Sequence, residues 1–281
     1  MLQKFLALRA MKGGSGSGGG SASKEWFNDG NTHIWISLAE GRTSPMLGVR
    51  LNGTATVDWG DGSEPDVLTG TDTANTQTQW TPTHNYAKSG DYIITLAVDG
   101  EMMFYGDDYS DQYSGVLRYI NALDTRNSAY RNAVRKVEVG NNVVYIGSCA
   151  FNRCYGLQSV RISDSVKEIS DKAFSYCYSL LSVYIPENVT TVQARAFQNC
   201  TSIASVNIPS GVTTINANTF YCCYGIACVD FTTHTAVPTL SNTSAFSNTA
   251  TDLKILVPSA LYDEWISATN WATYADKIVA V

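Results

Sequence analysis

Charge, histidine and proline are scarce in this chain, and long apolar runs are missing altogether. Only 16% of the 281 residues are charged, against roughly 25% in ordinary globular proteins. No stretch approaches the roughly 18 apolar residues a membrane span needs, so no membrane-spanning helix is expected. No basic stripe interleaved with aromatics occurs, and residues 24–133 carry 7 Lys+Arg against 15 Asp+Glu. A surface of that sign repels a phosphate backbone, which argues against nucleic acid as a partner. The start, MLQKFLALRAMK, is broken at Arg9 and too short in its apolar part for a secretory leader, so it gives export by the general route no support.

The motifs of catalysis are missing too. There is no metalloprotease helix, phosphate loop or nucleophile elbow. The three histidines, His33, His84 and His234, lie far apart in sequence. A Cys-dependent hydrolase, requiring one of them beside a thiol such as Cys149, is the least favoured function. No C-x-x-C pair is present for zinc. No cofactor is called for. Calcium stays open at Asp58 and Asp61 or at Asp107, Asp108 and Asp111, although neither cluster has the spacing of a known calcium loop.

What the chain does have is organised in blocks. Residues 1–23 are an N-terminal segment and a Gly/Ser linker, GGSGSGGGSAS, a composition that cannot bury side chains. The first twelve residues group Leu2, Phe5, Leu6 and Leu8 near one face of a short amphipathic helix. Within a block over 24–103 the period is two from Asn31 to about Asp99: Ala55, Val57 and Trp59 alternate with Thr54, Thr56 and Asp58, and Tyr92, Ile94, Leu96 and Val98 alternate likewise. Strands bounded by Gly-Asp-Gly turns read as an antiparallel sandwich. VDWGDGS (57–63) followed by THNYAKSGDYIITLAV (83–98) resembles the PKD family, departing from it where Trp59 directly precedes Gly-Asp-Gly. That resemblance implies an immunoglobulin-like spacer or adhesion module. Residues 104–133 read as a connector and N-terminal cap.

From 134 to 251 one period governs the chain. Phe151, Phe174, Phe197 and Phe220 are 23 residues apart, and Cys154, Cys177, Cys200 and Cys223 keep the same interval. Val160, Val183, Val206 and Val229 form a third column, Leu157, Leu180, Ile203 and Ile226 a fourth, and Ile162, Ile185, Ile208 and Phe231 a fifth. Columns in register mean coils that bury their apolar residues only by stacking. In each unit L-x-x-V-x-I reads as a strand, and A-F-x-x-C as one inward-facing helical turn. The repeated cysteines are expected to be buried thiols serving as small apolar groups. Cys149, Cys222 and Cys228 fall outside the column, leaving a bridge among them open.

The pattern closely resembles the BspA-like (Treponema pallidum-type) leucine-rich repeats, which implies a surface protein. It departs at the Asn column, where Ser165, Gly211 and His234 replace the asparagine kept at Asn142 and Asn188. Residues 252–281 read as a C-terminal cap, with Lys254–Val257 as a last strand and Leu261, Trp265 and Ile266 on one helix face. The expected fold is therefore two domains, an all-β PKD-like sandwich followed by a leucine-rich-repeat β/α solenoid with a C-terminal cap.

The residues expected to face outward from the repeat strands are Glu138, Arg161, Tyr184, Asn207 and Asp230, flanked by Ser159, Ser182 and Ser205. Mixed charge around a tyrosine suits recognition of a protein or glycan. The same residues would equally serve only to solvate the sheet. A second patch, Tyr155, Tyr178 and Tyr224, accompanies the Cys column. The expected function is non-enzymatic adhesion or recognition at a cell surface, outside the cell or on a virion. The alternative is a structural or receptor-binding component of a phage or secreted particle. Oligomeric state is not legible.

Overall fold

The computed structural model describes residues 26–40, 44–71, 84–104, 117–119 and 132–281. The N-terminal dozen, Asp107, Asp108 and Asp111, and most of the expected 104–133 cap lie outside the described residues. Six strands come first: β1 (Thr32–Leu38), β2 (Pro45–Leu47), β3 (Val49–Asp58), β4 (Asp66–Thr71), β5 (Gly90–Phe104) and β6 (Leu117–Tyr119). Alternation sets their inward faces. Ile34, Ile36 and Leu38 of β1, Leu51, Ala55 and Val57 of β3, and Ile94, Leu96, Met102 and Phe104 of β5 are buried. β5 pairs antiparallel with β3 along ten residues, and Gly53 lies opposite Gly100 in that register. A β-carbon on either glycine would strike the other strand's backbone, which fixes both identities.

The repeats add two rows of parallel strands. The first row holds β7 (Val134–Glu138), β9 (Ser159–Arg161), β12 (Ser205–Asn207), β14 (Cys228–Asp230), β16 (Lys254–Val257) and β17 (Ile278–Ala280). Bridges at Ser159–Ser182 and Val183–Val206 carry this row across the coil between β9 and β12. The second row holds β8 (Val143–Ile146), β10 (Glu168–Ile169), β11 (Thr191–Val192), β13 (Thr214–Ile215) and β15 (Thr239–Leu240).

The N-terminal strands join both rows. β1 pairs antiparallel with β7, setting Ile34 opposite Val137. β5 pairs in parallel with β8, setting Phe104 opposite Ile146. The sheet therefore runs β11-β10-β8-β5-β1-β7-β9, bending from one row to the other through the β5–β1 pair. That pair covers the end of the first coil, the role the sequence suggested for 104–133. One buried cluster extends from Ile34 to Ile278.

The third wall is made of turns. The expected helical turn at A-F-x-x-C is absent: those residues form successive turns, and Tyr262–Ser267 (α1) is the α-helix among the described residues. Two non-glycine residues per coil take left-handed backbone, Cys149 and Arg153, Lys172 and Tyr176, Arg195 and Asn199, then Asn218 and Cys222. Such residues stop a right-handed helix and turn the N–H groups along the stack. Phe151 N–H thus donates to Ala173 O at 2.7 Å, Phe174 to Ala196 O at 2.8 Å and Phe197 to Thr219 O at 3.0 Å.

Three of the four column cysteines return the contact. The thiol of Cys177 donates to Phe151 O at 3.2 Å, Cys200 to Phe174 O at 3.0 Å and Cys223 to Phe197 O at 3.0 Å. The Asn column is likewise a ladder of mixed residues. Ser165 Oγ donates to Val143 O at 2.8 Å and Asn188 Nδ2 to Asp164 O at 2.9 Å, while His234 Nε2 lies 3.3 Å from Val212 O.

Inside the three walls runs a spine of rings. Phe151, Phe174, Phe197 and Phe220 stack at centroid distances of 5.2, 5.4 and 5.5 Å, within 6° of parallel. Phe104 of β5 continues the spine at one end, 5.1 Å from Phe151. Phe246 continues it at the other, 5.6 Å from Phe220, and Trp271 follows at 5.9 Å. At the C-terminal end Trp265 and Trp271 are fully buried 4.5 Å apart, and Trp271 Nε1 donates to Pro238 O. Leu261 and Ile266 are only partly buried. The last strand is β17, beyond the expected Lys254–Val257, because residues 275–280 return alongside β16.

Phe197 has a ring neighbour on each side and no exposure. Phe197→Ala is expected to cost about 3–5 kcal/mol, read as a lower urea midpoint. An unchanged midpoint would place Phe197 outside the shared core.

Candidate functional site

The outward side chains of the first strand row divide into those used by the fold and those presented. Glu138 is a correction to the expected exposed column, since it is 5% exposed. Its carboxylate accepts Phe27 N–H at 2.8 Å and Asn28 N–H at 3.2 Å, with Arg161 Nη1 at 3.5 Å. Because β1 adds beyond β7, residues 26–28 lie over this position, which the 23-residue period does not reveal. Asn207 is also engaged. Its amide accepts Ile185 N–H at 3.0 Å and donates to Ile185 O at 2.7 Å, joining two coils. Asp230 accepts Thr232 N–H at 2.8 Å, an Asx turn.

Arg161 keeps 48% of its side chain exposed, and Tyr184 is partly exposed one coil further on. Ser159, Ser182 and Ser205 are partly exposed beside them. In register the line continues to Leu256 and Val279, an apolar end to the face.

Sequence reasoning missed the aromatic cluster at the opposite end of this face. His33 and Trp35 point outward from β1, and Trp26 and Phe27 fold over them. Phe27 stacks on His33 at 4.1 Å and on Trp35 at 5.7 Å, and Lys136 Nζ sits 3.9 Å from the Trp26 ring. Phe27 remains half exposed. The alternation in THIWISL holds the signal, since Ile34 and Ile36 inward place His33 and Trp35 outward.

Of the groups weighed for chemistry, Asp58, Asp61, His33 and His84 have structural partners. Asp58 accepts Gly60 N–H, and Asp61 accepts both the N–H and the hydroxyl of Ser63. The Ser63 hydroxyl and the His84 ring hold the Asp61 carboxyl down at about 2. His84 also stacks on Trp59 at 5.0 Å, and Tyr86 donates to Trp59 O. His33 bridges Asp29 and Thr95. Among the described residues, no three acidic, His or Cys side chains gather as a metal site requires. All seven cysteines are free thiols. Burial raises the Cys177 and Cys223 thiols well above their ordinary value, and it pushes Cys228 up to about 12 with help from Asp230. A nucleophilic cysteine needs the opposite shift.

Stacked coils with parallel strand rows and a turn wall make this a leucine-rich-repeat fold. Residues 125–252 match the family described as BspA type leucine rich repeat region, in 6 copies. Among solved structures the chain is similar to the pneumococcal vaccine antigen PcpA, at 13% identity and TM-score 0.41, covering 56% of this chain and 36% of that one. It is also similar to the T. pallidum leucine rich repeat protein (20% identity, TM-score 0.36, covering 56% of this chain and 72% of that one). A leucine-rich repeat protein from Bacteroides ovatus follows at 20% identity and TM-score 0.32, covering 59% of this chain and 56% of that one. The chain thus matches about a third of the length of PcpA. No curated protein matches it. Among the described residues no helix is long and apolar enough to cross a membrane.

His234 makes the stack sensitive to acid. Burial pushes its imidazole below the ordinary 6.5, outweighing the opposing pull of Val212 O, Phe231 O, Glu187 and Asp230. The unfolded chain therefore takes up a proton first, so stability is complete above 6.5 and falls as pH drops below it. His234→Asn, which keeps an amide in a column already holding Asn188, is expected to flatten this dependence. Urea midpoints at successive pH values check it, and identical slopes for the two proteins would contradict it.

Proposed function

We propose that this chain is a non-enzymatic recognition protein that binds a protein or glycan partner through the outward face of its first strand row. The observation carrying this reading is the division of labour along that row. The inward residues Val160, Val183, Val206 and Val229 are buried in the shared core, whereas Arg161 and Tyr184 project between an aromatic end and an apolar end. Such a face accepts substitutions without touching the core, so one fold serves many ligands. The usable face starts at Arg161, because Glu138 is occupied by the chain's own residues 27 and 28.

The 24–103 segment, with its resemblance to PKD modules, acts in this proposal as spacer and end cap together. Pairing β1 with β7 and β5 with β8 ties these strands to the rows that carry the binding face. Placement at a bacterial or particle surface belongs to the same proposal, supported by the BspA-type match over 125–252 and by a composition poor in charge.

Screening the full chain against protein and glycan arrays, then repeating positives with Tyr184→Ala, tests the reading. Loss of a central aromatic anchor is expected to weaken binding by about 2 kcal/mol while the urea melt stays unchanged. Equal affinity would move the binding site off this face.

A further inference from the structure

The wall of turns carries a second, unassigned surface. Beside each column cysteine sits a position held by Tyr155, Tyr178, Thr201 and Tyr224 in successive coils. Tyr155 and Tyr178 stack at 5.0 Å with planes 16° apart. The next coil breaks the ladder with Thr201, and Tyr224 resumes it. The backbone register is unbroken at the gap, since Thr201 Oγ1 donates to Tyr178 O at 3.4 Å and Gly225 N–H donates to Thr201 O at 3.1 Å.

Geometry sets the width of that gap. The phenylalanines of these same coils step by 5.4 and 5.5 Å. Tyr178 and Tyr224 are two such steps apart, with one ring missing between them. Both tyrosines fold back over the residue two positions earlier. Tyr178 meets Tyr176 edge-on at 6.0 Å, and Tyr224 donates its hydroxyl to Cys222 Sγ at 3.4 Å. They are 40% and 58% exposed, and among the described residues Tyr224 makes no ring contact. In register, Tyr178 and Tyr224 flank Thr201, and the threonine stands where a further ring would continue the ladder.

Its chemistry narrows the occupant. Residues 176–181, 199–204 and 222–227 contain no charged side chain, and the nearby Arg153 guanidinium lies over the Tyr176 ring at 5.2 Å. Next to these positions in sequence the same coils carry hydroxyls and an amide, at Thr201, Ser202, Ser179 and Asn199. A flat ring with apolar C–H faces and a polar edge meets all of these at once, which a phenyl ring does not. We propose that the Tyr178–Thr201–Tyr224 slot binds one neutral hexopyranose residue of a glycan, sandwiched between the two tyrosines. This adds a site to the recognition reading without depending on the strand face. Tyr184→Ala is expected to leave it untouched, so the two proposals fail separately.

The decisive variant fills the slot instead of removing a wall. Thr201→Tyr completes the ladder and is expected to keep or raise the melting temperature while blocking the sugar. Saturation-transfer NMR and calorimetry on the full chain, with cellohexaose, laminarihexaose, mannohexaose and N-acetyltyrosinamide as probes, read the outcome. At least one hexaose is expected to bind, and at least about tenfold more weakly to both Thr201→Tyr and Tyr224→Ala. Should Thr201→Tyr not fold, Tyr224→Ala, exposed at the surface, carries the test alone. The proposal is overturned if no hexaose binds, if the variants bind as the parent does, or if only the aromatic amide occupies the slot.

Discussion

Every other feature depends on the contact between one coil's phenylalanine and the next. A 23-residue coil has too few residues to enclose its own core, and its ring becomes buried only when a neighbour covers each face. The spine from Phe104 through Phe246 to Trp271 meets that condition at each step, and aromatic stacking adds about 0.5–1.5 kcal/mol per pair beyond burial. The hydrogen bonds follow from the same stacking. Backbone N–H groups point forward into the next coil and cysteine thiols point back, so the carbonyls of Phe151, Phe174 and Phe197 are satisfied inside an apolar wall.

A stack has two ends, and each would expose apolar rings to water. The chain closes them differently. At the N-terminal end the β5–β1 pair carries one sheet around from the second strand row to the first, with Phe104 capping Phe151. At the C-terminal end Trp265, Trp271 and the returning strand β17 do the same work. The N-terminal strands are therefore joined to the repeats by a shared core and a shared sheet. For the proposed recognition role this matters mechanically, because the outward face moves with its support.

Much of the interior was legible in the sequence because packing imposes a period. The Phe, Cys and Val columns repeat at 23 residues for the reason that they touch their own copies in the adjacent coils. The ends were legible only in outline, as a cap over 252–281, since closure happens once and leaves no repetition. Nothing about Phe104 or Trp271 distinguishes them from other aromatics until β5 and the last turn are placed. The turn wall misled for a local reason. Phe and Cys three apart suit a helical turn, but left-handed backbone at Lys172, Tyr176, Arg195 and Cys222 is not marked by glycine. Of the outward column, alternation identified the presented Arg161 and Tyr184. It had no means of showing that residues 27 and 28 cover Glu138, a contact between positions 111 residues apart.

Native-state hydrogen exchange in rising urea tests most directly whether the β1–β5 strands and the repeat coils are one cooperative body. The relevant amides are those of Ile34 and Ile36 in β1 and of Phe151 and Phe174 in the turn wall. A common opening free energy, with all four amides converging on one isotherm, is the expected result. An opening that exposes β1 while Phe151 stays fully protected would contradict the account, because the end of the spine would then be dispensable.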